Sequence, residues 1–253
     1  MASSLPGLRH VLIIEPLIIV VFCTVIQNIF GVGILVFGTP LLLSLDYDLM
    51  TTLGILLPSS LLVSLIQIST IKNARFPSTN ALIQSVCGVV LGAFLLLYFS
   101  VPLSVYVVTA VAMLLAGGLR LNLELRNRIY HFLTQPSLNF HFINGIFHGF
   151  SNLGGILLVL RNNLGNDAKN QSLMNTASVY LIYVLSQISV LCLSGNVEIF
   201  INGLMVLPVV GLFSFVLGDR PITFLSAKFM DNALGVFFIS VSAVLSYKII
   251  QML

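Results

Sequence analysis

Residues 28–43 read NIFGVGILVFGTPLLL and residues 145–160 read GIFHGFSNLGGILLVL. Each is an apolar run interrupted by glycines, hydroxyls and amides. Around the first lie Gln27, Asn28, Gly31, Gly33, Gly38, Thr39 and Pro40; around the second lie Asn144, Gly145, His148, Gly149, Ser151, Asn152, Gly154 and Gly155. Hydrocarbon offers no water to unpaired main-chain groups, so broken backbone at membrane depth is tolerated only against protein or a cavity. Polar side chains at that depth obey the same constraint. On this reading both stretches face inward and end one half-helix where another begins. Free N–H groups and the positive end of a helix dipole then point to the midplane, an arrangement suited to a small anion without a buried arginine.

The rest of the chain supplies the membrane that this argument assumes. Of 253 residues, 58% are hydrophobic and 8% charged, and the mean hydropathy is +1.07. A soluble domain carries about 25% charged residues, so a soluble enzyme is excluded. At roughly 20 apolar residues per crossing, the chain has room for about eight spans. The expected fold is all-α, a polytopic membrane protein of about eight transmembrane helices in two repeats of four, with glycine-broken or re-entrant segments.

Hydropathy places the first span at about Val11 to Phe30, followed by Gly31 to Leu45, too short to cross unaided. Further spans are about Leu53 to Ile71, Ala81 to Phe99 and Pro102 to Leu119, the last two expected as a tight hairpin through Ser100 and Val101. The second half has Leu138 to Leu160, Leu173 to Leu193, Val197 to Leu217 and Phe229 to Met252. Between the halves, 120–135 is the only long polar stretch, carrying Arg120, Glu124, Arg126, Arg128 and His131. The organisation is therefore a first four-helix repeat (1–119), a basic linker loop (120–135) and a second four-helix repeat (136–253).

A shift of 117 aligns the two quoted stretches and matches Ile29, Phe30, Gly38, Leu41 and Leu43 with Ile146, Phe147, Gly155, Leu158 and Leu160. A shift of 120 matches Leu65, Gln67, Ile68 and Ser69 with Leu185, Gln187, Ile188 and Ser189. Such internal symmetry is expected of transporters. Basic residues concentrate on cytoplasmic loops. An eight-span path puts Arg9, Lys72, Arg75, Arg120, Arg126, Arg128 and Lys248 on one side and Arg161, Lys169, Arg220 and Lys228 on the other, with both termini cytoplasmic. Inverted repeats would need an odd number of crossings per half; the expectation retained is four plus four.

The candidate substrate-binding residues are Gly31, Gly33, Thr39, Gln67, Ser151, Asn152, Gly154, Gly155 and Gln187. Small residues also mark plain helix packing, and polar ones plain interhelical hydrogen bonds; the correspondence of both breaks favours a translocation route. Ser59, Ser60, Ser64, Asn175, Ser178 and Ser186 lie on the same helices as the two glutamines. His148 is the candidate for proton coupling. Glu15 is a second ionisable group, read as headgroup-level because Pro16 follows it and suits a helix start. Cys23, Cys87 and Cys192 have no metal-ligand spacing and read as small core residues. Neither GxSxG, HExxH, a P-loop nor paired intramembrane carboxylates occur, so no enzyme, catalytic residue, metal or cofactor is expected. The net charge of +3 is topological on this reading and does not indicate nucleic acid.

At the glycine breaks the chain resembles the TauE/SafE sulfite exporter family, which repeats a GxGGGxxxxP-like segment. Gly31, Gly33 and Pro40 hold that spacing, with Ile34 and Leu35 in place of two glycines. The second copy reads Gly145, Gly149, Asn152, Gly154 and Gly155, and residues 211–220 and 229–247 resemble the family's closing spans. The resemblance implies a secondary transporter in the cell membrane, moving a small sulfur-containing anion of the sulfite or sulfonate type by alternating access. Its partners would be the solute, the bilayer and, in a homo-oligomer, further copies of the chain. Ile34 and Leu35 would narrow or dry the site relative to the family pattern. The competing readings are a non-transporting membrane scaffold or assembly partner, and a channel, which the lack of a ring of like charges disfavours.

Overall fold

The structure is a computed structural model, and it describes residues 6–30, 33–99, 102–135, 139–163, 169–218 and 227–253. Their regular structure is helical: α1 (Pro6–Phe30), α2 (Ile34–Ser44), α3 (Leu49–Thr70), α4 (Thr79–Phe99), α5 (Pro102–Leu121), α6 (Leu123–Leu133), α7 (Phe140–Ser151), α8 (Gly155–Asn163), α9 (Lys169–Leu193), α10 (Phe200–Gly218) and α11 (Ala227–Met252). A 3-10 turn, Val197–Ile199, leads into α10. Helices α3, α4, α5, α9 and α11 contain segments long and apolar enough to cross a membrane, which makes this an integral membrane protein by length and composition. Their outer faces agree. Ile83, Leu91 and Phe94 on α4, and Val111, Leu114 and Leu115 on α5, are exposed, a surface that water would not tolerate over such an area.

The two broken stretches form helical hairpins. At the first, a Cβ on Gly33 would stand 2.6 Å from Gln27 N and 2.7 Å from Cys23 O, so the chain has doubled back onto the helix it just left. Helix α2 then returns along α1, and Tyr47 beyond its end lies beside the Glu15 carboxylate. Pro16 is internal to α1, which begins at Pro6, so Glu15 does not precede a helix start; it is an exposed residue near the hairpin's base. At the second break, a Cβ on Gly154 would meet His148 Cβ at 2.6 Å and Asn144 O at 2.9 Å. Helix α8 returns along α7 until the Arg161 guanidinium sits 4.4 Å from the centre of the Phe140 ring. A 12-residue helix such as α7 rises about 18 Å, roughly three-fifths of the hydrocarbon thickness.

The hairpin bases lie at opposite ends of the bundle, with α3 between them. Asp48 caps the start of α3, its carboxylate accepting the Thr51 N–H at 2.9 Å. The same end holds the Asp46–Lys248 ion pair and the Tyr106 hydroxyl, which donates to Leu43 O at 3.1 Å. Past the other end of α3, Gln171 Nε2 donates to Arg75 O at 2.8 Å while Arg75 N donates to Gln171 Oε1 at 2.9 Å. There too, Ser172 Oγ donates to Asn162 O at 2.9 Å, tying α9 to the end of α8. Arg161, Lys169, Lys72 and Arg75 therefore gather at one end, where an eight-span path would separate them. The reason is the turn at Gly154, which sends α8 back towards the start of α7.

Three further expectations change. Residues 120–135 are largely helical: Asn122 Oδ1 accepts the Leu125 N–H at 3.0 Å and caps α6. The principal partners of α4 are α7 and α9, and that of α5 is α11, so the adjacent pair α4 and α5 is no tight hairpin. Cys23 is buried, but Cys87 is exposed and Cys192 partly so.

Glycines also set the helix crossings. Gly88 and Gly92 on α4 face Gly145 and Gly149 on α7, one GxxxG against another. A Cβ on Gly92 would lie 2.2 Å from Ile146 O, and one on Gly149 would lie 2.4 Å from Val89 O. Gly54 on α3 and Gly203 on α10 approach as closely. Without a hydrophobic drive in lipid, such close contact is what holds helices together. Gly145 and Gly149 are thus packing residues, whereas Gly33 and Gly154 make the turns.

Candidate functional site

Gln27 organises the first hairpin tip. It is fully buried on α1, and its Oε1 accepts the Ile34 N–H at 3.0 Å, capping α2 where Gly33 has no side chain to do so. Its Nε2 donates to Ser64 Oγ at 3.2 Å, and its carbonyl accepts Gln67 Nε2 at 2.6 Å. Ser60, Ser64 and Gln67 recur along α3 at spacings of four and three, which puts them on one face.

The second tip turns at Asn152, which has φ 64° and ends α7. Asparagine adopts this left-handed conformation more readily than most residues. Its N–H donates to His148 O at 2.7 Å, while its Oδ1 accepts Gln187 Nε2 at 2.7 Å. Asn144 Nδ2 donates to Gly154 O at 3.0 Å and to the Tyr183 hydroxyl at 2.9 Å. Ser151 Oγ donates to Phe147 O at 2.6 Å and accepts the Leu153 N–H at 3.2 Å, so this hydroxyl serves the turn itself.

The tips meet. Asn152 Nδ2 donates to Thr39 Oγ1 on α2 at 3.4 Å, and both residues are buried. His148 is fully buried, its ring stacked on Tyr183 with centroids 4.5 Å apart and edge-on to Tyr180 at 5.4 Å. Neither ring nitrogen has a hydrogen-bond partner, nor do Gln67 Oε1, Gln187 Oε1, Asn144 Oδ1, Ser60 Oγ and the Tyr180 hydroxyl. Buried polar atoms normally find partners; of these, the His148 ring and the Tyr180 and Ser60 hydroxyls stand together, the ring edge-on to Tyr180 and Ser60 beside the phenol, and they form a place able to hold a solute. Among the described residues no Lys, Arg, Asp or Glu is buried, and no three His, Cys, Asp or Glu side chains gather to hold a metal.

Thr39, Gln67, His148, Asn152 and Gln187 thus belong to one connected interior region. Gly33 and Gly154 lie in its turns, and Gly155 opens α8. Gly31 lies outside the described residues. Among the other hydroxyls, Ser59 Oγ donates to Ile55 O within its own helix, and Asn175 bonds Gln171 at the bundle's end. Gln27, Asn144, Tyr180 and Tyr183 join the region although the sequence candidates omit them. Their signal was the helical spacing of Tyr180, Tyr183 and Gln187, which share a face of α9 as Ser60 and Gln67 do on α3.

At the rim, outside the spanning segments, two groups are electrostatically tuned. Burial pushes the Asp48 carboxyl up, but hydrogen bonds from Thr51 and the Met50 N–H outweigh it and hold the group below the usual carboxylate range. Burial also pushes the Tyr47 phenol up, and the neighbouring Glu15 carboxylate adds to this.

Comparison of the chain with known protein families, with curated proteins and with solved structures returns no match.

Proposed function

We propose that this protein is a secondary transporter of a small anion, of the sulfite or sulfonate type, working by alternating access between two inverted halves. One observation carries the reading: both returning helices, α2 and α8, begin at the buried hairpin tips, so both positive helix ends point into the same interior. Discontinuous helices whose N-terminal ends meet near the midplane are how transporter folds hold anionic substrates.

The membrane path that fits is six crossings, by α3, α4, α5, α9, α10 and α11, with the two hairpins entering from opposite faces. Each half then has one hairpin and three crossings, an odd number, so the second half is inverted. The pairings support this correspondence: α4 packs on α7 as α10 packs on α1, and α3 packs on α10 as α9 packs on α4. Charge supports the same path. Lys72, Arg75, Arg120, Arg126, Arg128, Arg161, Lys169 and Lys228 fall at one end, while Arg9 and Lys248 fall at the other. That asymmetry makes the first end cytoplasmic and both termini extracytoplasmic, the reverse of the eight-span expectation. The cell membrane and the sulfur chemistry rest on the resemblance to TauE/SafE exporters.

In this mechanism the Asn152–Thr39 contact closes the route between the halves and opens as they rock. Gln67 and Gln187, each with an unpartnered carbonyl oxygen, steady the two tips. His148 carries the coupling proton between Tyr180 and Tyr183. The test is flux of radiolabelled sulfite and of an alkyl sulfonate into proteoliposomes, with and without a pH gradient. Asn152→Ala is expected to lower the rate at least about tenfold and His148→Gln to abolish the gradient dependence. Unchanged flux in both variants at equal incorporation, or no flux in the wild type, overturns the proposal; the latter result leaves a non-transporting membrane scaffold.

A further inference from the structure

One corner of the interior is more specific than the rest. The Tyr180 hydroxyl, on α9, faces the Ser60 hydroxyl of α3 and the main-chain N–H groups of Leu35 and Val36 in the first turn of α2. All four residues are buried, with at most 1% of their surface exposed. Neither hydroxyl is aligned for a hydrogen bond. Of the first four N–H groups of α2, that of Ile34 is taken by Gln27 and that of Phe37 by Gly33 O; the two between them are the pair turned towards Tyr180. Four donors from three helices thus converge where the positive end of an 11-residue helix emerges.

We infer that this corner is an oxyanion site selective for a single negative charge: the N–H groups of Leu35 and Val36 and the hydroxyls of Tyr180 and Ser60 hold the oxygens of a monoanion such as a sulfonate. The inference rests on the transport reading for its context and deepens it by naming the residues and the charge. An oxygen placed among the four donors accepts hydrogen bonds that the phenol and the serine do not make with each other. Selectivity follows from charge balance. A helix N-terminus supplies the equivalent of about half a positive charge; the partly buried Arg161 reaches Tyr183 but is not among the groups that act on Tyr180. Whether the end of α2 acts alone or with that of α8, a monoanion is matched within about half a charge; a dianion leaves about one or more uncompensated at low dielectric, which is far costlier. His148, edge-on to Tyr180, stands next to the site and links its occupancy to the proposed proton step.

The test uses two tetrahedral anions of similar size and different charge, methanesulfonate and sulfate, binding to the purified full-length chain, followed by calorimetry and by thermal stabilisation. Methanesulfonate is expected to bind at least about tenfold more tightly than sulfate. Because a hydrogen bond to a charged group contributes roughly 1.5–3 kcal/mol, Tyr180→Phe is expected to weaken methanesulfonate about tenfold or more. That variant keeps the ring against His148, so the ligand-free melting temperature should hold. Ser60→Ala should act in the same direction. Equal or tighter sulfate binding, or unchanged methanesulfonate binding in both variants, overturns the inference. Flux separates it from the reading beneath: selective binding without flux keeps the site and refutes transport, and flux indifferent to Tyr180 and Ser60 keeps transport and refutes the site.

Discussion

Replacing Gly33 by alanine tests the hairpin at the point where the chain reverses. Here φ is −176°, an extended value that any residue adopts, so the demand for glycine is one of space. The new Cβ would stand 2.6 Å from Gln27 N and 2.7 Å from Cys23 O, both main-chain atoms with no rotamer to yield, where ordinary contact begins at 3.4 Å. The two arms must part by most of an ångström. Overpacking of this kind costs about 1–3 kcal/mol, and parting the arms also breaks the buried Ile34–Gln27 hydrogen bond, at about 1–3 kcal/mol more. For a chain of this size roughly 2–4 °C accompanies each kcal/mol, so the melting temperature should fall by at least about 4 °C. Cys23 provides the reporter: it is buried beside the turn, and in a Cys87→Ser, Cys192→Ser background it reacts with a thiol-specific fluorophore only as the tip opens. Gly118→Ala is the control, because the nearest atom to its Cβ is 4.0 Å away and alanine favours a helix interior by up to about 1 kcal/mol. Equal melting temperatures for the two variants would refute the fold-back.

Three other outcomes are expected. Asp48→Ala removes the α3 cap and should cost about 0.5–2 kcal/mol. Since the folded Asp48 pKa is depressed, its contribution is fully present above the unfolded value of about 3.9 and is lost as pH falls through the lower folded value; melts between pH 6 and 3 should show that loss in the wild type and lack it in Asp48→Ala. Gly92→Ala puts a Cβ 2.2 Å from Ile146 O, which should loosen α7 from α4 and speed hydrogen exchange in α7 relative to α11. Gln187→Leu breaks the bond to Asn152, with a stability loss near the roughly 0.6 kcal/mol average for membrane hydrogen bonds, measurable by urea or thermal denaturation in detergent.

Much of the architecture was legible because the bilayer makes strong demands. Long apolar helices announce themselves by composition, and the two interrupted stretches stood out because hydrocarbon forbids free backbone. The direction of the chain after each break was not legible. A glycine that ends a helix looks alike in sequence whether the next helix continues or returns, and only the contact of Gly154 with His148 and Asn144 distinguishes the two. The alignment at a shift of 117 was misleading for a related reason. The turn glycines Gly33 and Gly154 lie 121 positions apart, one helical turn from that register, and leucines repeat often enough to match in either. Gln67 and Gln187, whose polar character is rare in such helices, were identified from sequence and both join the interior. Tyr180 and Tyr183 are not legible as interior polar groups, because an aromatic in an apolar helix reads as core unless its hydroxyl is known to face Ser60 or Asn144.

The central claim is that the chain between α6 and α9 enters the membrane and leaves by the same face. In a chain whose three native cysteines are serine, Arg128→Cys and Asn170→Cys flank the α7–α8 hairpin, and Asp46→Cys reports the opposite end. Labelling with a membrane-impermeant maleimide, from outside and then after permeabilisation, should mark positions 128 and 170 from one face and position 46 from the other. Labelling of 128 and 170 from opposite faces would mean that α7 and α8 cross the bilayer, and would contradict the account.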